Sequence, residues 1–214
     1  MAGHSHPIFA QLWLRCFGQG LDDSGLVEYR RELVAGLAGR VLEIGAGDGR
    51  NLTHYPDPVD EVVALEPEPH LRAALSERAA GIERGISVLG GVAESLPFDD
   101  ASFDAVVVSL VLCSVSDPGL ALSEVRRVLR PGGELRFLEH VEAARPGLRR
   151  VQRLLDATVW PRLGAGCHTQ RDTVGSIRAA GFEVPSTSLR RFAFPESSLP
   201  VPTAPHVLGR ARRG

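Results

Sequence analysis

Short apolar runs alternate with amphipathic stretches along most of the chain. Runs of strand type lie at residues 41–44, 61–65, 86–89, 103–110, 134–139, 182–189 and 206–211. Apolar residues in the segments between them recur at helical spacing, for example in residues 71–78 and 117–129. The run at 103–110 is continuously apolar, which is typical of a strand buried on both faces of a parallel sheet. The alternation predicts an α/β fold with a doubly wound, mostly parallel, seven-stranded sheet.

The N-terminal segment has a helical pattern and lacks strand-type runs. Apolar residues recur at helical spacing in residues 8–17, and a second amphipathic stretch covers residues 25–37. We expect an N-terminal helical cap over residues 1–38 and one α/β domain over residues 39–214. The first helix covers either the core or a ligand pocket, and in the second case Trp13 and Phe17 close over the ligand.

A glycine-rich turn follows the first predicted strand, where open α/β sheets bind their ligands. It contains Gly45, Gly47 and Gly49, with Glu43 two positions before the first glycine. A dinucleotide site has its third glycine one position later, and a carboxylate at Glu43 would repel a pyrophosphate. The same carboxylate suits a ligand that carries a cationic amine. The turn taken alone is also compatible with a purely structural role.

A second carboxylate, Glu66, ends the next predicted strand. An ionised carboxylate accepts two hydrogen bonds and so matches the two hydroxyl groups of a ribose. Glu66 by itself would also fit a solvated strand end. Together with the glycine turn, it predicts a site for a cationic nucleoside.

Composition excludes several function classes. The 214-residue chain has a net charge of −2, which gives no reason to expect a nucleic-acid partner. Its three cysteines, Cys16, Cys113 and Cys167, are widely spaced, so we expect no disulfide framework, no metal site and a reducing cytoplasmic location. The apolar run at 8–17 is far shorter than the roughly 20 residues of a membrane span, so we expect no stable membrane insertion.

Four stretches resemble the class I S-adenosylmethionine (SAM)-dependent methyltransferases in order and spacing. They are VLEIGAGDGRN, VVALEPEP, GVAESLPFDDASFDAVV and EVRRVLRPGGELRFLEH, within about residues 40 to 140. A narrower resemblance, through VLCSV, LEHV, GCHTQRDT and PHVLGRA, is to the methyltransferase-like group that includes membrane-associated thiol S-methyltransferases. Those relatives carry a hydrophobic N-terminal anchor that we do not find here, so a lipid-surface location is not carried over.

The resemblance implies SAM as the cofactor and assigns positions around it. The methionine end of SAM is lined by Glu43, Gly45, Ala46, Gly47, Gly49 and Asn51. The ribose and adenine are held by Glu66, Pro67, Ala93 and Glu94. The sulfonium lies over four consecutive residues, Ser109, Leu110, Val111 and Leu112.

The acceptor side is less defined by the sequence. His140 and His168 are candidate bases, although each also suits a structural role, and Cys113 and Arg171 are candidate acceptor contacts. We expect a small-molecule acceptor, with a thiol as the first choice. An oxygen or nitrogen of a phenol, quinone or specialised metabolite is the alternative. A non-catalytic SAM-binding protein and a nicotinamide dehydrogenase are the alternatives from other classes.

Overall fold

A computed structural model describes residues 6–194 and 201–214 of the chain. Its sheet has eight strands in the order β3-β2-β1-β4-β5-β8-β6, and β7 also pairs with β8. The strands are β1 (Gly39–Ile44), β2 (Val59–Leu65), β3 (Gly85–Leu89), β4 (Phe103–Ser109), β5 (Leu129–His140), β6 (Phe182–Glu183), β7 (Leu189–Ala193) and β8 (Pro205–Arg213). The first five strands are parallel and β8 runs antiparallel to β5, which confirms a doubly wound, mostly parallel sheet.

The sheet has one strand more than the sequence predicts. The apolar run at 182–189 divides into β6 and β7, with a 3-10 turn at Ser186–Ser188 between them. Pro185 directly precedes this turn, and a proline has no N–H with which to continue a strand ladder. The division therefore follows from a single residue in the middle of the predicted strand.

The helices surround the sheet on both faces. They are α1 (Pro7–Leu12), α2 (Gly18–Leu21), α3 (Val27–Val34), α4 (Pro69–Ala80), α5 (Pro118–Val128), α6 (Pro146–Asp156), α7 (Trp160–Leu163) and α8 (Thr173–Ala179). Asp117 caps α5 by accepting a hydrogen bond from the Leu120 N–H, as the Asp-Pro pair predicts. The predicted helix at 8–17 is confirmed, although Trp13–Phe17 forms a π-helical turn and a second π-helical turn lies at Asp22–Leu26.

Two buried clusters flank the sheet. One contains Phe103 and Phe137 with the apolar faces of α5 and α8, and the other contains Leu33 and Val34 of α3 with Val41 of β1. The apolar strand β4 has its central residues buried, as the run at 103–110 predicts. A boundary at residue 38 stays a prediction, since α3 packs into the same cluster as the first strand and residues 1–5 lie outside the described part.

The parallel strands point their carboxyl ends toward one edge of the sheet. Ile44 pairs with Leu65 of β2 and with Val108 of β4, and Ser109 pairs with Leu138 of β5. The turns that leave β1, β2, β4 and β5 therefore meet at this edge.

Candidate functional site

The glycine turn after β1 surrounds an open space. Gly45, Gly47 and Gly49 have φ values of +64°, +59° and +82°, a region that side chains with a Cβ rarely adopt. A Cβ on Gly45 would lie 2.5 Å from Val111, and a Cβ on Gly49 would lie 2.8 Å from Leu75. A Cβ on Gly47 would meet no atom of the described residues within 4 Å. Two glycines are thus required by packing, and the third leaves room for a ligand.

Glu66 lies beside this turn, at the end of β2. Its Oε2 accepts the Gly47 N–H at 2.8 Å and its Oε1 accepts the Glu68 N–H at 2.9 Å. Burial raises the pKa of this carboxyl, against the two backbone hydrogen bonds that lower it. Each carboxylate oxygen keeps one further lone pair, so Glu66 can still accept two hydroxyl groups.

Glu43 lies behind the turn and is only 1% exposed. Its two oxygens accept hydrogen bonds from Asn51 Nδ2 at 2.7 Å and from the Tyr55 hydroxyl at 2.9 Å. Burial raises the pKa of Glu43 to about 7. Asn51 in turn accepts a hydrogen bond from Arg30 Nη1 at 3.0 Å. Glu43 therefore positions Asn51, and its direct contact with a ligand stays a prediction.

Asp48, inside the turn, was missed by sequence reasoning. This buried carboxylate accepts hydrogen bonds from Trp13 Nε1 and from Arg50 Nε, each at 3.1 Å. Arg50 also pairs with Asp22 at 2.7 Å. An acidic residue between two glycines of the turn was the available signal. Through these contacts the N-terminal segment is attached to the turn; Phe17 on the same segment is 52% exposed.

The remaining predicted cofactor residues lie around the same edge. Ala46 and Ala93 are buried, and the Pro67 carbonyl accepts a hydrogen bond from Arg72 Nη1 at 3.0 Å. Glu94 braces the entry to α5 by accepting the Ser116 N–H at 2.8 Å. At the end of β4, Ser109 Oγ is buried and has no hydrogen-bond partner among the described residues. Leu110, which follows it, has a φ of +60°.

Glu139, near the end of β5, holds the loop after β4, where the sequence predicts acceptor contacts. This fully buried carboxylate accepts three backbone hydrogen bonds, from Val111 at 2.8 Å, Leu112 at 2.9 Å and Cys113 at 3.1 Å. Burial raises its pKa to about 7. Sequence reasoning selected its neighbour His140 and passed over Glu139. A carboxylate at the end of an otherwise buried strand was the signal that could have found it.

Two distant cysteines meet beside His140. Cys113 Sγ and Cys167 Sγ are 3.7 Å apart, and Cys167 Sγ is 3.5 Å from His140 Nδ1. Hydrogen bonding between the thiols lowers the pKa of Cys167 and raises the pKa of Cys113. Burial lowers the pKa of the neighbouring His206 to about 3, and its ring centroid lies 4.5 Å from that of His140.

The loop before α8 lies directly on the loop after β4. The His168 N–H donates to the Cys113 carbonyl at 2.7 Å, and Arg171 Nη1 donates to the Leu112 carbonyl. Arg171 Nη2 lies 3.3 Å from His168 Nδ1, which is also 2.8 Å from the Gly166 carbonyl. The structure thus brings His140, His168, Cys113 and Arg171 into one region. Although Asp172 is adjacent in sequence, it forms no ion pair with Arg171 among the described residues, and it caps α8 by accepting the Gly175 N–H at 2.9 Å.

Known proteins are similar to this chain in sequence and in fold. A methyltransferase domain model matches residues 42–137. Thiol S-methyltransferase TMT1B of Rattus norvegicus is 38% identical over 177 residues, covering 80% of this chain and 69% of the relative. Its Homo sapiens counterpart is 37% identical over 185 residues, covering 83% and 73%. The chain belongs to the class I SAM-dependent methyltransferases.

A solved structure supports the same fold for this methyltransferase. An S-adenosylmethionine dependent methyltransferase from Mesorhizobium loti superposes with a TM-score of 0.66, at 24% identity, over 91% of this chain and all of that one. The cofactor of this methyltransferase is SAM. The residues present fit it, since the space at Gly47 admits a ligand and Glu66 retains acceptor capacity beside that space. None of the helices in the described part has both the length and the apolarity that crossing a membrane requires.

Proposed function

We propose that this methyltransferase methylates the sulfur of a small-molecule thiol. The observation that supports it best is the extent of the match to relatives named thiol S-methyltransferases, which reaches beyond the cofactor turn to most of the chain. That match includes the segments that build the acceptor side, among them the loop after β4 and the loop before α8.

The residues of the turn and of the strand ends would orient the donor. Glu66 accepts the ribose hydroxyls, and Gly47 provides the room for the ligand. The amide of Asn51 is held by Glu43 and Arg30, which fixes the end of the turn beside which the methionine end would lie. When bound, SAM supplies an activated methyl group on its sulfonium. The acceptor sulfur bonds in line to the methyl carbon as the bond from that carbon to the sulfonium breaks, and the demethylated cofactor leaves. The enzyme's part is then mainly alignment and exclusion of water.

The acceptor side suits a nucleophile that needs little help. A thiol with an ordinary pKa of about 8.5 is partly ionised near neutral pH, whereas a phenol or an alcohol depends more on a base. The Nδ1 atoms of both candidate bases already contact protein atoms, Cys167 Sγ for His140 and the Gly166 carbonyl for His168. Glu139 holds the backbone of residues 111–113 where the acceptor would approach. We further propose a cytoplasmic location, because Cys16, Cys113 and Cys167 are all free thiols.

Matched acceptors test the proposal directly. Purified enzyme is incubated with isotope-labelled SAM and with benzyl mercaptan, benzyl alcohol or benzylamine, which differ only in the nucleophilic atom. We expect a labelled thioether, detected by mass spectrometry, and little product from the other two compounds. A phenol and a hydroquinone extend the panel. Faster methylation of an oxygen or nitrogen acceptor than of any thiol would overturn the sulfur assignment, and SAM binding without turnover of any acceptor would favour a non-catalytic protein.

A further inference from the structure

Two of the three separations in the cluster of Cys113, Cys167 and His140 match those of a tetrahedral metal site, and the third, between Cys113 Sγ and the His140 ring, is within 4.8 Å. Zinc binds thiolate sulfur at about 2.3 Å and imidazole nitrogen at about 2.0–2.1 Å. At a tetrahedral centre these bond lengths separate two sulfurs by about 3.8 Å, and a sulfur from a nitrogen by about 3.6 Å. The observed separations are 3.7 Å between the sulfurs and 3.5 Å between Cys167 Sγ and His140 Nδ1.

The backbone around the cluster is already held in place. Cys113 lies in the loop that Glu139 anchors through three N–H groups, and His140 is the next residue of β5 after Glu139. The loop that carries Cys167 is attached to the Cys113 loop by the hydrogen bond from the His168 N–H to the Cys113 carbonyl. A metal ion would therefore find its ligands close to their final positions, and little ordering would accompany binding.

The ligand types also favour a soft cation. Both sulfurs are buried, whereas His140 is only half-buried. Thiolate and imidazole ligands select zinc and similar ions over magnesium or calcium, which prefer oxygen. Two thiolates balance the charge of a divalent ion in a buried place.

We propose that Cys113, Cys167 and His140 form a three-ligand site for Zn²⁺ or a similar soft divalent cation, at the junction of β4, β5 and the loop before α8. Three protein ligands leave a fourth position for water or another ligand, next to the half-buried imidazole. The ion would tie the three segments of the acceptor side together. It would also occupy His140 Nδ1 and leave His168 as the remaining candidate base. The wide spacing of the cysteines in the sequence argued against a metal site. In the fold, however, Cys113 and Cys167 are in contact although they are 54 residues apart in the chain.

Cobalt titration of the full chain tests this site without any activity assay. The protein is reduced, freed of metal and titrated with Co²⁺, whose tetrahedral thiolate complexes absorb strongly. We expect sulfur-to-cobalt charge transfer that saturates at one ion per chain and disappears when Zn²⁺ is added. We also expect Zn²⁺ to raise the melting temperature, because an ion that binds only the folded state stabilises it. A folded, reduced wild-type protein that shows no such absorption overturns the proposal.

Single substitutions connect the signal to these residues. Cys113→Ser, Cys167→Ser and His140→Gln should each abolish saturation at one ion per chain, with circular dichroism verifying that the variants are folded. Cys16→Ser is the matched control, because Cys16 is an exposed thiol on the N-terminal segment outside the cluster. It should keep the full signal. A signal lost in Cys16→Ser, or retained in both Cys113→Ser and Cys167→Ser, would contradict the assignment; misfolding of a variant leaves the wild-type titration decisive.

Discussion

The donor side and the acceptor side of the active site are built over different distances along the chain. On the donor side, Glu43 and Asn51 are 8 residues apart, and Gly47 and Glu66 are 19 apart. On the acceptor side, Glu139 binds the Leu112 N–H across 27 residues. The cysteine pair spans 54 residues. The centre of the proposed donor side is one turn between two adjacent strands, whereas the proposed acceptor side exists only once three separate segments have met.

Both sides nevertheless share one device, a buried carboxylate that holds a loop by its backbone N–H groups. Glu66 does this for the glycine turn and Glu139 does it for the loop after β4. A hydrogen bond to a charged group is worth about 1.5–3 kcal/mol. Because they hold different loops, the two carboxylates should affect different steps. We expect Glu66 to affect chiefly the binding of SAM and Glu139 chiefly the reaction of the acceptor.

Filling the space at Gly47 should give the largest effect. A valine there projects into the open region beside Glu66, so Gly47→Val should abolish detectable SAM binding in calorimetry. The positive φ adds backbone strain of roughly 1–2 kcal/mol. Gly132→Val is the matched control, because Gly132 also has a positive φ of +76° and no described atom within 4 Å of its Cβ position. A crystal of Gly47→Val with SAM still bound would refute this role of the turn.

Removing the ribose carboxylate should have the next largest effect. Glu66→Ala should weaken SAM binding by about 1.5–3 kcal/mol, or roughly 10- to 150-fold. Glu61→Ala is the control, since Glu61 lies near the other end of β2 and pairs with Arg40 at 2.7 Å. Calorimetry should find its SAM affinity unchanged. Wild-type affinity in Glu66→Ala would remove Glu66 from the ribose role.

The same contrast in distance explains what could be predicted from the sequence. The alternation of the first five strands and the turn from Glu43 to Glu66 are local patterns, and they predicted the fold and a cationic nucleoside as ligand. Pro185 divided the predicted strand at 182–189, and Gly25, with a φ of +105°, kinks the N-terminal segment, so short-range interruptions were underestimated. The contact of Cys113 with Cys167 has no local pattern, because it depends on how two distant loops pack.

Glu139 provides a test on the acceptor side. Glu139→Gln replaces one acceptor oxygen by a donor, so at least one of the N–H groups of Val111, Leu112 and Cys113 loses its partner. At pH 5 we expect the free energy of unfolding to fall by about 1–3 kcal/mol, and near neutral pH we expect turnover to fall more than SAM affinity. Glu134→Gln, in the middle of β5, is the control and should leave turnover near the wild-type value. Equal losses in turnover and SAM affinity would mean that Glu139 acts on both sides.

The pH dependence of stability gives a second measure of Glu139. Its folded-state pKa of about 7 lies above the ordinary value of 4.5, so the folded protein binds this proton more tightly than the unfolded chain. The stability it contributes is fully present below about pH 4.5 and is lost as the pH rises through about 7. Urea unfolding of wild type and Glu139→Gln should therefore show a difference that shrinks over this window. Parallel curves would mean that the carboxyl is not perturbed.

Trp13 should give the smallest effect, and it tests whether the N-terminal segment covers the acceptor or only the core. Its indole N–H donates to Asp48, and its ring stacks on Phe9 with centroids 5.9 Å apart. Trp13→Phe removes only the hydrogen bond, worth about 0.5–1.5 kcal/mol, whereas Trp13→Ala also removes the ring. If the segment is a lid over the acceptor, Trp13→Ala should raise the Michaelis constant for the acceptor well beyond the value for Trp13→Phe. Unchanged Michaelis constant and turnover in Trp13→Ala would show that this helix covers only the core, and the acceptor side would then consist of the loops after β4, β5 and α7 alone.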